Sequence, residues 1–326
     1  MRSESTLTRR KLIGAGAGAA AATVIGTRAP RSLGATTADT STDAFVGPAV
    51  LPPGRIGLQL YSIRDQVSSL GFAEVFETLA AIGYKAIEFA GYTQGSVGPI
   101  TLAQIRQLMD ANGLVGVGSH VSISDANIQQ VLDAAVILGL PYVGLASASS
   151  QTNTVAGWQQ TAANFNRWGA AAIARGIKFY WHNHQTEFGF TMDQPTTRIY
   201  DVLLEETDPA LVFMEMDIYW AYVGQYLYGT APLPAFDPLD YVTANRARYP
   251  LFHVKEGKRN QASQNGYDME DVGQGHIDFE NFFCTLGEKD SHWYLWERDN
   301  ANIHPHGSMA SAECSWLYMR YGLLGC

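Results

Sequence analysis

Charged side chains are scarce in this sequence, at 16% of its 326 residues, compared with about 25% in an average globular domain. Hydrophobic residues make up 46% and aromatic residues 11%, so the composition is not that of a disordered chain. Basic residues are also outnumbered, since 22 Lys and Arg face 31 Asp and Glu. The net charge of −9 therefore disfavours nucleic-acid binding, because phosphates need a basic surface.

Cysteine is rare as well: Cys284, Cys314 and Cys326 are the three in the chain, and all lie near its carboxyl end. They contain no Cys-x-x-Cys pair, and their spacing matches no zinc site. A chain of this length buries a core large enough to fold without disulfides or a structural metal. We expect at most one disulfide, and the sequence does not select the pair.

The amino terminus contains a short, weakly apolar run at 14–26, whereas a membrane span needs about 20 strongly apolar residues. This run follows Arg9, Arg10 and Lys11, an order typical of a secretory signal of the twin-arginine type. We predict that residues 1–43 are a signal and flexible spacer, without a stable membrane anchor. The predicted partner is the twin-arginine export machinery, and the predicted location is the periplasm or the cell exterior.

Apolar segments with strand character alternate eight times with segments of helical pattern. The predicted strands are Ile56–Ile63, Ala86–Ala90, Val115–Val121, Tyr142–Ala146, Lys178–His184, Leu211–Ile218, Leu251–Lys255 and Trp293–Glu297. Four of the helical segments are followed by a glycine suited to a left-handed C-cap, namely Gly83, Gly113, Gly139 and Gly176.

This alternation predicts one α/β domain over 44–326, a (β/α)8 TIM barrel whose chemistry lies at the carboxyl ends of the strands. A doubly wound open sheet is the alternative. It is disfavoured because residues 61–65, which follow the first strand, contain no glycine-rich phosphate loop.

Imidazole and carboxylate side chains accumulate at the predicted strand ends. They are His120, His182, His184, Glu187, Glu215, Asp217, His253, Glu297 and Asp299, and Lys255 lies among them. Asp217, His253 and Glu297 end three consecutive strands, which favours a divalent ion such as Mn, Co, Fe or Zn. Two other interpretations stay open: His120 as a structural histidine, and Glu215 with Lys255 as an interior salt bridge.

Several segments together resemble the sugar phosphate isomerase/epimerase superfamily, the xylose-isomerase-like TIM barrels. The segments that carry the resemblance are 56–64, 83–88, 182–188, 216–220, 253–256, 272–279 and 297–299. The resemblance spans about Ile56 to Gly322. Within the superfamily, the His182-Asn183-His184 pattern resembles that of a branch similar to inosose dehydratases and to 3-keto-glycoside lyases or hydratases.

The resemblance implies a metal shell of Asp217, His253 and Glu297, with His182 at the fifth-strand position where the family usually has glutamate. Glu187 is a further possible ligand or acid–base group. The resemblance also implies substrate binding by Arg259, and we add His120, Lys255 and Trp220 as candidate substrate-binding residues.

The implied activity is metal-dependent isomerisation or elimination on a keto-sugar or glycoside without phosphate. Glu297 or a histidine would remove the proton α to the carbonyl, and His184 or Glu187 would act as the acid. The alternatives are a ketose epimerase, a non-catalytic sugar-binding barrel and an endonuclease IV-like enzyme, the last disfavoured by the acidic charge. Homo-oligomer formation is left open.

Overall fold

The computed structural model describes residues 50–323, so the predicted signal in residues 1–43 lies outside the described part of the chain. The strands are β1 (Ile56–Gln59), β2 (Ala86–Phe89), β3 (Val115–Ser119), β4 (Tyr142–Leu145), β5 (Lys178–His182), β6 (Val212–Asp217), β7 (Leu251–Val254), β8 (Glu256–Arg259), β9 (Tyr267–Glu270) and β10 (Trp293–Trp296). Eight of them form one parallel sheet in the order β3-β2-β1-β10-β7-β6-β5-β4.

The two outer strands of this sheet meet and close it into a barrel. A parallel bridge joins His120, the residue after β3, to Gly144 of β4. The amide of Val121 also donates to the Gly144 carbonyl at 3.0 Å. The TIM barrel is therefore confirmed, and the open doubly wound sheet is wrong.

Helices surround the barrel. They are α1 (Arg64–Ile82), α2 (Leu102–Ala111), α3 (Ile128–Leu138), α4 (Val155–Ile173), α5 (Ile199–Glu206), α6 (Ile218–Tyr228), α7 (Pro238–Ala244), α8 (Phe279–Leu286) and α9 (Ser308–Leu317). The four glycines predicted to end helices all have positive φ, as expected for this role. No helix of residues 50–323 is long and apolar enough to cross a bilayer.

The barrel interior is apolar towards the amino ends of the strands. A buried cluster there consists of Ala86, Val117, Tyr180, Phe213, Leu251 and Leu295. Because alternate residues of a strand point to the same side, the residue two positions further along each strand also faces inward. This layer of packed side chains forms the floor on which the next inward layer rests.

Between β7 and β10, the hairpin of β8 and β9 lies outside the main sheet. Its strands pair antiparallel, with Glu256 opposite Glu270 and Arg259 opposite Tyr267. Tyr267 packs in a buried cluster with Tyr219, Trp220 and Val223 of α6. The hairpin is therefore anchored to the barrel through the helix that follows β6. In the carboxyl-terminal region, Cys314 is a free thiol and Cys284 takes part in a disulfide.

Candidate active site

The inward layer above the apolar floor is charged. Five of the apolar residues in the floor are followed, two positions later along the chain, by an ionisable residue. These ionisable residues are Glu88, His182, Glu215, His253 and Glu297. All five are buried, with at most 6% of the residue surface exposed. Strand alternation thus places five ionisable groups at the carboxyl end of the barrel interior.

Four predicted ligands lie together in this layer. One ligand atom each from His182, Asp217, His253 and Glu297 can be chosen so that all lie within 4.8 Å of one another. The His253 Nδ1 is 2.9 Å from Glu297 Oε2, and the His182 Nε2 is 3.6 Å from Asp217 Oδ2. Two imidazoles and two carboxylates are a donor set that suits a divalent transition metal or zinc.

Two further carboxylates contact the opposite nitrogens of these histidines. Glu215 Oε2 lies 3.1 Å from His182 Nδ1, and Glu88 Oε2 lies 2.6 Å from His253 Nε2. Histidines that bind metals commonly donate their second ring N–H to a carboxylate, which orients the ring. Glu215 and Glu88 therefore fix the orientation of the two imidazoles.

Buried negative charge exceeds the buried ammonium charge of Lys255. The Lys255 Nζ lies 2.8 Å from Glu297 Oε2, 2.8 Å from Asp299 Oδ1 and 3.4 Å from Asp217 Oδ2. Burial lowers the pKa of Lys255, but the three carboxylates outweigh it and hold this pKa well above its usual value. Burial also raises the pKa of Asp217 to about 7, against the opposing effects of Lys255 and His253.

A poorly partnered oxygen supports the fit of a cation to this layer. Glu215 Oε1 is buried, and its contact with His253 Nε2 is 3.2 Å long. The same ring nitrogen lies closer to Glu88 Oε2, at 2.6 Å. A buried carboxylate oxygen with one long contact is costly, and a divalent cation in this layer would offset part of that cost. The residues present therefore fit a metal ion.

A cavity of about 450 Å³ opens above the cluster. Its walls are formed by Tyr61, Ala90, His120, Ala146, His182, His184, Glu297 and Asp299. His120 contacts Glu215 Oε2 at 2.7 Å and Glu88 Oε1 at 3.3 Å. Burial lowers the pKa of His120, but these two carboxylates raise it above its usual value. Two carboxylates, three imidazoles and the Tyr61 ring therefore line one cavity.

A family model described as xylose isomerase-like TIM barrel matches residues 76–319. The chain belongs to this family. Its members include sugar isomerases, epimerases and dehydratases, and the expected superfamily is thereby confirmed. No protein of curated function matches the chain.

Solved structures share the fold of this xylose isomerase-like barrel. A sugar phosphate isomerase/epimerase from Parabacteroides distasonis has 23% identity and a TM-score of 0.64, covering 88% of this chain and 97% of its own. The IolI protein with a bound zinc atom has 11% identity and a TM-score of 0.61, covering 83% and 100%. The 3-keto-D-glucoside 4-epimerase YcjR from E. coli has 13% identity and a TM-score of 0.57, covering 81% and 98%.

His184 lies on the cavity wall, and Trp220 lies behind it. The His184 ring is 5.5 Å from the Trp220 ring, and the Lys255 Nζ is 5.3 Å from the same indole. Burial and the charge of Lys255 lower the pKa of His184 to about 4, so its imidazole is neutral at pH 7. Trp220 is 7% exposed and supports His184 and Lys255 from the side.

Glu187 and Arg259, both predicted site residues, lie away from the cavity wall and from the charged layer. The Glu187 carboxylate accepts hydrogen bonds from the backbone N–H of Ala148 and His184 and from the Thr186 hydroxyl, at 2.9–3.2 Å. It fastens the loop that follows β5. Arg259 is exposed on the hairpin, where its guanidinium lies 4.9 Å from the centre of the Tyr267 ring.

Glu88 is a site residue that the sequence reasoning missed. It lies in β2, contacts His253 and His120, and accepts a hydrogen bond from the Tyr180 hydroxyl. Burial and the nearby Glu215 raise its pKa. A single acidic residue inside the apolar segment Ala86–Ala90 was the available signal, because a buried strand carries a carboxylate only where something pairs with it.

Proposed function

We propose that this xylose isomerase-like barrel is a divalent-metal-dependent isomerase or lyase that acts on a keto-sugar or glycoside without phosphate. The observation that carries the proposal is the buried group His182, Asp217, His253 and Glu297 beneath a ligand-sized cavity. When bound, a divalent ion would polarise the sugar carbonyl and lower the pKa of the adjacent C–H. The zinc atom in the IolI structure, which has the same fold, supports this choice of cofactor.

Glu297 is the proposed base. Burial raises its pKa, but Lys255 and His253 outweigh burial and hold this pKa well below the usual value, so the carboxylate is ionised at neutral pH. Glu297 also lines the cavity, where it can reach a proton on a bound sugar. Of the two predicted acids, His184 lies on the cavity wall and Glu187 does not. We therefore assign to His184 the hydrogen bond to the leaving or shifting oxygen.

The preference for a substrate without phosphate follows from how the nearby cations are engaged. Lys255 is shared among three carboxylates, and the Arg298 guanidinium donates to Asp271. A phosphate group would have to displace these carboxylates in order to contact Lys255 or Arg298.

The decisive test combines metal content with proton exchange. Protein purified without chelator should contain about one Mn, Co, Fe or Zn per chain by elemental analysis, and Asp217→Asn should lose it, while the exposed-residue control Asp110→Asn keeps it. In D2O the wild type should exchange the proton α to the carbonyl of a keto-sugar, and Glu297→Gln should not. Absence of metal in every sample after incubation with these ions would leave a non-catalytic sugar-binding barrel as the better explanation.

A further inference from the structure

A second cavity adjoins the catalytic one. It has a volume of about 540 Å³, against about 450 Å³ for the cavity above the charged layer. Asp299 lines both, so this side chain borders the two spaces. One face of Asp299 is held by Lys255 at 2.8 Å, which fixes the carboxylate at this border. The second cavity is therefore the space next to a molecule bound at the charged layer.

Two packed tyrosine rings form part of the wall of the second cavity. Tyr219 of α6 and Tyr267 of β9 line it, and their ring centres lie 6.1 Å apart in an edge-to-face arrangement. The Tyr219 hydroxyl also donates to the Tyr267 backbone carbonyl at 3.5 Å. Both residues are at least 95% buried, and the hairpin that carries Tyr267 is paired along its length. A preformed wall binds a ligand at a lower cost in ordering entropy.

The lining of the second cavity is polar but offers no unpaired cation. Two amides, Asn265 and Asn300, supply donors and acceptors suited to hydroxyl groups. Asp268 and Glu270 add acceptors and negative charge. The one guanidinium in the lining belongs to Arg298, which is paired with Asp271 and lies 3.9 Å from Glu270. The chemistry of this lining matches an uncharged unit rich in hydroxyl groups and opposes an anionic one.

We propose that the second cavity is a subsite for an uncharged sugar-like unit joined to the reacting sugar, so that the substrate is a glycoside or disaccharide instead of a free monosaccharide. This inference rests on the proposed function, since it assigns the reacting ring to the cavity above the charged layer. Asn265 and Asn300 bind the second unit through their side-chain amides, and Asp299 separates the two units.

The test compares matched ligands on the metal-loaded protein. Calorimetry is run with uncharged disaccharides, with their single monosaccharide units and with disaccharides that carry a uronate as the second unit. We expect an uncharged disaccharide to bind about tenfold or more tighter than either monosaccharide, because of the added hydrogen bonds. The uronate form should lose most of this advantage, and Asp268→Asn should restore part of it.

Two variants of the hairpin test whether the second cavity causes the higher affinity for disaccharides. Asn265→Trp fills the second cavity and should bring disaccharide affinity down to that of the monosaccharide. The matched control Gln261→Trp places the same side chain at an exposed hairpin position outside the lining and should keep the disaccharide preference. Circular dichroism and metal content of both variants verify that the fold and the charged layer are retained.

The outcomes separate this inference from the proposed function. Equal affinity for disaccharides and monosaccharides, or a preference that survives Asn265→Trp, overturns the subsite even if metal and α-proton exchange are observed. A disaccharide preference that depends on Asn265, without α-proton exchange on any sugar, supports the subsite and overturns the proposed reaction. Failure of every sugar to bind overturns the subsite as well.

Discussion

Glu215 contacts three imidazoles at once. Its Oε2 lies 2.7 Å from His120 and 3.1 Å from His182, and its Oε1 lies 3.2 Å from His253. Burial raises the pKa of Glu215, but the neighbouring histidines hold it well below its usual value. The carboxylate therefore stays ionised and fixes the orientation of His182 and His253 beside the predicted metal position.

Replacement of Glu215 tests this positioning role. We expect Glu215→Gln to weaken metal binding by about 10–100-fold, because a neutral amide orients the imidazole N–H less strongly than a carboxylate does. Competition with a chelator of known affinity measures the change without relying on turnover. Asp110→Asn, an exposed substitution on α2, should leave the affinity unchanged. An unchanged affinity in Glu215→Gln would show that Glu215 has no such role.

The raised pKa of Glu187 predicts that the stability of the fold depends on pH. Burial raises its pKa to about 7, against the opposing effect of its hydrogen bonds. The native state therefore holds this proton more tightly than the unfolded state, in which the pKa is about 4.3. The contribution of Glu187 to the unfolding free energy is constant below about pH 4.3, falls as the pH rises to about 7, and then levels off. The total fall is about 4 kcal/mol.

Urea unfolding at a series of pH values measures this effect. The difference in unfolding free energy between wild type and Glu187→Gln should change between about pH 4.3 and pH 7 in favour of the variant as the pH rises. The exposed Glu205→Gln on α5 should show no such trend relative to wild type. Parallel pH profiles for all three proteins would contradict the prediction.

At the scale of elements, hydrophobic periodicity predicted the eight barrel strands, because each is an apolar segment buried on both sides. It failed where polar contacts decide the conformation. Strand β1 ends at Gln59, and not at Ile63 as predicted, because the Gln59 side chain accepts a hydrogen bond from the Tyr61 N–H and begins a 3-10 turn. The hairpin of β8 and β9 was missed because its strands are largely polar and packed on α6 through Tyr267.

Two helix-ending glycines provide an element-scale prediction. Gly83, after α1, has φ of 120°, and a Cβ there would lie 2.3 Å from the Trp316 ring. Gly113, after α2, has φ of 63°, and a Cβ there would meet nothing within 4 Å. We expect Gly113→Ala to cost about 1 kcal/mol from backbone strain alone. Gly83→Ala should cost about 3 kcal/mol, since the steric clash adds to the strain.

Urea unfolding of the two alanine variants beside wild type provides the comparison. Equal losses of unfolding free energy at the two positions would mean that Trp316 moves aside at no cost, which contradicts the expected contribution of the clash.

For the whole molecule, alternation of strands and helices was sufficient to predict the barrel, and the order of strand-end residues was sufficient to propose four metal ligands. The positions of Glu187 and Arg259 were not predictable in this way. Each lies beyond the end of a barrel strand, Glu187 after β5 and Arg259 in the hairpin after β7. Local hydrogen bonds and the hairpin decide which way these side chains point. The adjoining second cavity likewise depends on packing between segments distant in the sequence.

The twin-arginine signal is a prediction about residues 1–43. We expect the double substitution Arg9→Lys and Arg10→Lys to stop export and retain the protein in the cytoplasm, since the paired arginines identify this type of signal. Immunoblots of cell fractions measure the distribution. Arg2→Lys, outside the pair, should be exported like wild type. Export of the double variant at the normal level would exclude this route.

The barrel is closed between β3 and β4 by His120, a residue that also lines the cavity. Strands β4 and β5 share four paired positions, whereas β3 and β4 are joined by the bridge between His120 and Gly144. A side chain at Gly144 would clash with the Tyr180 ring, so a substitution at this position cannot add packing contacts between β3 and β4. Local unfolding of the barrel should therefore begin between β3 and β4. A sugar that binds His120 would stabilise this contact and slow hydrogen exchange at the Val121 amide.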